Sequence, residues 1–90
     1  MVPQTQGIAF NLDADAFITF GRSLPGAIRD PSGQPLELHH IVDFDLCWAF
    51  NLTDPWGNHY ELNCYEYERI RRELVEARNV EPQRYWPRGD

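Results

Sequence analysis

The run Asp45-Leu46-Cys47-Trp48-Ala49-Phe50-Asn51-Leu52-Thr53, followed by Asp54-Pro55-Trp56-Gly57-Asn58 and His59-Tyr60-Glu61-Leu62-Asn63-Cys64-Tyr65, decides the fold. Leu46, Trp48, Phe50 and Leu52 alternate with Cys47, Ala49, Asn51 and Thr53. Tyr60, Leu62 and Cys64 alternate with His59, Glu61, Asn63 and Tyr65. Such a period of two marks a half-buried strand. Asp54, Pro55 and Gly57 stand at the first, second and fourth positions of a turn, as a type I turn prefers. The run therefore predicts a β-hairpin. A four-residue loop would set Leu62 against Ala49 and mix the apolar and polar faces. A five-residue loop, Asp54 to Asn58, pairs Thr53 with His59 and Leu62 with Phe50. Slipping by one residue flips every side chain, so burial selects the longer loop, with Gly57 or Asn58 left-handed. Cys47 and Cys64 then fall on opposite faces and are expected to stay unbonded.

Upstream, Ile8, Phe10 and Leu12 alternate with Gly7, Ala9 and Asn11, which predicts a strand over Gly7–Leu12. Asp13 suits a helix N-cap, with Asp15 favoured in the first turn. Ala14, Phe17, Gly21 and Leu24 form one helical face, widened by Ile18 and Phe20, and Pro25-Gly26 ends it. A short strand at Ala27–Arg29 and a loop at Asp30–Pro35 follow. Leu36–Phe44 reads as an extended loop with a strand at His40–Val42, in which His39 and His40 point to opposite faces. Glu37, Asp43 and Asp45 read as solvated loop charges. Downstream, a helix is expected from Glu66 to about Asn79, with the stripe Tyr67, Ile70, Leu74 and Ala77 and a Glu68–Arg72 pair. Val80–Asp90 is expected to be a tail in which Tyr85 and Trp86 must pack or stay exposed. Trp48, Phe50 and Phe17 are expected in the core, and Cys47 as a small buried thiol.

The chain has 90 residues, 42% of them hydrophobic and 24% charged, enough for one domain with one core and incompatible with intrinsic disorder. No apolar run approaches the ~20 residues of a membrane span, and Met1–Gln6 lacks the regions of a signal peptide. A cytoplasmic protein with no membrane partner is expected. The net charge is −6, and the whole excess lies before Tyr65. Without a basic face, no nucleic-acid partner is expected.

The order strand, helix, strand, hairpin, together with Asp54-Pro55-Trp56-Gly57-Asn58-His59-Tyr60-Glu61-Leu62, resembles one βαβββ module of the vicinal oxygen chelate superfamily. That group holds glyoxalases, extradiol dioxygenases and bleomycin resistance proteins. The resemblance runs from about Gly7 to Tyr67 and implies an α+β fold: a curved mixed sheet with a concave cup over residues 7–66, followed by a C-terminal helix (67–79) and tail (80–90). It further implies that Glu61 matches the glutamate that ligates a metal on the last strand. The first-strand ligand falls at Gly7, which cannot coordinate. Members usually carry two modules, whereas this chain has room for one. A lone module leaves a sheet edge open, so a homodimer or larger assembly is expected to rebuild the cup.

Three readings follow. The preferred one is a small-molecule binder resembling the bleomycin resistance proteins, taking a cationic or aromatic ligand on Glu61, Asn51, Asn63, Tyr65 and Trp56, without a cofactor. Gly7 and the acidic charge favour it. The alternative is a metal-dependent enzyme, a lyase, transferase or oxidoreductase, in which Glu61 and His59 hold Zn, Fe, Mn or Ni; His59 shares the face of Glu61 and could replace the missing ligand. No catalytic residue is marked. The third is an interaction module whose concave face is its dimer interface.

Overall fold

The structure, a computed structural model, describes residues 8–84. Its elements are β1 (Ile8–Asn11), α1 (Ala14–Arg22), a 3-10 turn (Leu38–His40), β2 (Val42–Asp43), β3 (Trp48–Thr53), β4 (His59–Cys64), α2 (Tyr67–Ile70) running into a π-helix (Arg71–Glu76), and β5 (Gln83–Arg84). The five strands form one sheet in the order β1-β4-β3-β2-β5. The pairs β1–β4 and β2–β5 are parallel and the rest antiparallel, so the sheet is mixed and the fold is α+β.

The hairpin takes the register that burial demands: Thr53 faces His59 and Phe50 faces Leu62. Gly57 carries the positive φ of the loop, at 87°. Asp13 caps α1 by accepting from the Ala16 N–H at 2.9 Å, which satisfies one of the free amides at the helix start. The helices cover one face of the sheet. Ala14, Phe17 and Ile18 of α1 meet Trp48, Phe50 and Cys64 of the sheet and Ile70, Leu74 and Val75 of the C-terminal helix. Phe17 stacks on Phe50 at 5.2 Å between ring centroids, and Trp48 on Tyr67 at 4.9 Å. The Trp48 indole N–H, which burial would otherwise strand, donates to the Tyr67 carbonyl at 3.0 Å. Gly21 lets the helices approach closely: a Cβ there would lie 2.8 Å from Leu74 Cδ2. Both cysteines are free. No helix among the described residues is long and apolar enough to cross a membrane.

Six expectations are corrected. His39 and His40 lie in the 3-10 turn instead of a strand, with their rings 4.2 Å apart, and the strand that follows is Val42–Asp43. Asp43 is not a solvated charge: it is 5% exposed and accepts from the Tyr67 hydroxyl at 2.8 and 2.9 Å. The C-terminal helix widens into π turns, whose five-residue spacing brings Val75 inward and leaves Ala77 exposed. Glu68 pairs with Arg71, not Arg72. The stretch after Val80 is not only a tail, because Gln83 and Arg84 extend the sheet beside β2. At the expected Ala27–Arg29 strand only Arg29 makes isolated bridges, to Pro35 and Thr53. Gly7, Tyr85 and Trp86 lie outside the described residues.

Candidate functional site

Strand alternation sends every second side chain away from the helices. One row on that face crosses all five strands: Gln83, Val42, Ala49, Asn63 and Asn11. The next row is Asn51, Glu61 and Ala9. Thr53 and His59 lie beyond it towards the loop, and Cys47 and Tyr65 flank the face at the other end. Ala9 is exposed, whereas Ala49, Asn63 and Val42 of the first row are buried.

A cleft of about 590 Å³ opens on this face, lined by Val42, Phe44, Asn51, Glu61, Gln83 and Arg84. A smaller depression of about 290 Å³ shares Val42, Asn51 and Gln83 with it and ends at Asp30 and His40. The two form one trough. At its far end the Glu37 N–H donates to His40 Nδ1 at 3.0 Å, turning Nε2 towards Asp30 Oδ2, 3.9 Å away. Asp30 accepts from the Ser32 hydroxyl and from the Ser32 and Gln34 N–H groups. The Ser32 hydrogen bond is the largest influence on the Asp30 carboxyl, whose pKa lies below the ordinary value.

The near end of the trough is acidic. Arg84 lies 3.7 Å from Asp43 and 3.9 Å from Asp45, so one guanidinium stands between those two carboxylates, and Glu61 lines the same cleft. Burial raises the pKa of the Cys47 thiol; a Tyr65 hydrogen bond opposes the rise and the Glu61 charge adds to it. Tyr65 is raised in turn, chiefly by Cys47, with Glu61 contributing. Cys47 and Tyr65 are therefore in contact just beyond the end of β4, close enough to Glu61 to feel its charge. Asn63 lies between Glu61 and Tyr65 on that strand; it is 8% exposed, and its side-chain Oδ1 has no hydrogen-bond partner.

Of the residues singled out from sequence, Glu61 and Asn51 are directly opposite each other and line the cleft. Asn63 and Tyr65 continue the same face along β4. Trp56 does not join them: it is 83% exposed at the hairpin tip. His59 is exposed at the start of β4, opposite Thr53. Gln83 and Arg84 were missed as cleft residues. Their segment carries neither apolar alternation nor a turn signal that would reveal a strand.

A transition-metal centre is what the family resemblance would bring here. The donors of one chain do not complete it. Glu61 and His59 supply one carboxylate and one imidazole, against the three protein ligands of a catalytic zinc site. No three of His, Cys, Asp and Glu gather around one point among the described residues. A complete set would need donors beyond the described residues of one chain.

Comparison with family models, with curated proteins and with solved structures finds no match in any of the three.

Proposed function

We propose that this chain is a small-molecule binding protein that takes a cationic, aromatic ligand on the polar face of its sheet, with a second copy completing the cup. The observation that carries the reading is the cleft at Glu61: the Glu61 carboxylate, the amides of Asn51 and Gln83, and the apolar Val42 and Phe44 face one space, with the Arg84 guanidinium at its edge already paired by Asp43 and Asp45. Ligand sites combine apolar walls with a few placed polar groups in this way. The surrounding acidic excess favours a cation. The resemblance of the Asp54–Leu62 segment to the vicinal oxygen chelate superfamily, which includes the bleomycin resistance proteins, supports the same reading. The second copy is supported by β1, an edge strand in the sheet order, whose Ile8 and Phe10 are 57% and 47% exposed. Open apolar edges invite pairing.

The probe 4-aminobenzamidine, a flat aromatic cation, tests the binding half. Glu61→Gln keeps the shape and removes the charge, and should weaken the probe by about 1–3 kcal/mol, or roughly 5- to 150-fold. Equal affinity for the wild type and Glu61→Gln, or no binding to either, would overturn the reading. Light scattering at micromolar concentration should give a dimer mass, and a monomer would remove the second copy from it.

A further inference from the structure

The described residues contain two buried side-chain oxygens with no hydrogen-bond partner, Thr53 Oγ1 and Asn63 Oδ1. Both belong to the polar face of the hairpin. Folding leaves a buried acceptor unpaired only at a cost, which native structures avoid almost everywhere. Asn63 is the better placed of the two, at the centre of the row that crosses all five strands. Its cross-strand neighbours are Ala49, which is small, and Asn11, whose side chain makes no hydrogen bond to Asn63 Oδ1. Glu61 precedes it by two residues and Tyr65 follows by two, both on its face, at spacings of roughly 6–7 Å along the strand.

We propose that the Asn63 carboxamide is the specificity-determining group of this face, and that its Oδ1 accepts an N–H from an amidinium or guanidinium whose charge is held by Glu61. The inference rests on the binding reading above and narrows its ligand class. Glu61 and Asn63 Oδ1 are both acceptors, so their partner must donate at two places at once. A planar amidinium does so with a fixed fork, whereas an ammonium is a compact point charge without that geometry. A neutral amide satisfies the acceptors less strongly and leaves the Glu61 charge unanswered. Asn63 Oδ1 is covered, so the ligand reaches it when a neighbouring side chain turns aside. Tyr65, just past the end of β4 and 61% exposed, would do so by giving up its hydrogen bond with Cys47. Phe44 and Val42 then offer apolar surface to the ring that carries the cation.

Asn63→Leu separates this role from a structural one, because it removes the unpaired acceptor while keeping the number and branching of the side-chain heavy atoms. 4-Aminobenzamidine should bind the variant about tenfold or more weakly than wild type. The melting temperature should stay unchanged or rise, since replacing an unsatisfied buried polar group by an apolar one removes a penalty. Asn63→Ala gives the same binding readout should leucine fail to fold, and benzamide, the neutral counterpart, should bind wild type about tenfold more weakly than the probe. Wild-type binding that weakens in Glu61→Gln but is unchanged in Asn63→Leu or Asn63→Ala would overturn this inference and leave the binding reading standing. A clear fall in the melting temperature of a folded Asn63→Leu would also overturn it, by making the carboxamide structural. Failure of the wild type to bind would overturn both.

Discussion

The two faces of the β3–β4 hairpin are built from the same twelve residues and could hardly differ more. On the helix side, Trp48, Phe50 and Cys64 are sealed against α1 and the C-terminal helix, and the one polar group that burial threatens, the Trp48 N–H, is paired. On the other side lie Asn51, Glu61, Asn63, Thr53 and His59, with two acceptors left unpaired. The helix side spends its hydrogen-bonding capacity on folding, and the polar side keeps some in reserve. Alternation in a strand lets one stretch of chain serve both purposes without compromise.

The largest expected effect tests the sealed face. Trp48→Ala should destabilise the protein by about 3–5 kcal/mol in chemical denaturation, through lost packing and a cavity under the helices. A loss under about 1 kcal/mol would mean that the faces are assigned the wrong way round.

A smaller effect lies at the turn that joins the faces. Burial pushes the Asp54 carboxyl up, but the Asn58 side chain and N–H, the Tyr60 hydroxyl and the Trp56 N–H outweigh it and hold the pKa at about 2. A folded pKa below the ordinary 3.8 means that the unfolded chain binds the proton first. This contribution to stability is therefore present above about pH 4 and lost as pH falls towards 2. Unfolding followed across that window should show a shallower acid dependence in Asp54→Asn than in wild type. Identical slopes would place the acid sensitivity elsewhere. The smallest effect belongs to the polar face itself: Asn51→Ala should change stability by no more than about 0.5 kcal/mol, and a loss above about 1 kcal/mol would show that this face also carries the fold.

The hairpin was legible because its signals are local. Alternation sets the faces, Asp54-Pro55-Trp56-Gly57 makes the turn, and only one register keeps Leu62 beside Phe50. The cap at Asp13 and the face of α1 were legible for the same reason. What escaped was decided at a distance. Asp43 looks like any loop aspartate until Tyr67, 24 residues on, supplies its hydroxyl. Gln83 and Arg84 become a strand only because the β2 edge is there to receive them, with the Gln83 N–H reaching the Ile41 carbonyl at 2.9 Å. On the site, Glu61 and Asn51 follow from hairpin register alone, while the Arg84 side of the cleft depends on that distant pairing.

The π-helix at Arg71–Glu76 also bears on how this chain can vary in length. Leu74 and Val75 now stand four and five residues after Ile70, a spacing that only the wider turn keeps on one side. Delete the exposed Arg72 and they stand three and four residues after it, the spacing of an ordinary α-helical face. That segment can therefore give up a residue and still present Ile70, Leu74 and Val75 to the core. β4 has no such slack, since one residue lost from its middle would turn its later side chains to the opposite side of the sheet. The helix is thus where the geometry tolerates a change of one residue, and the strand carrying Glu61 and Asn63 is where it does not.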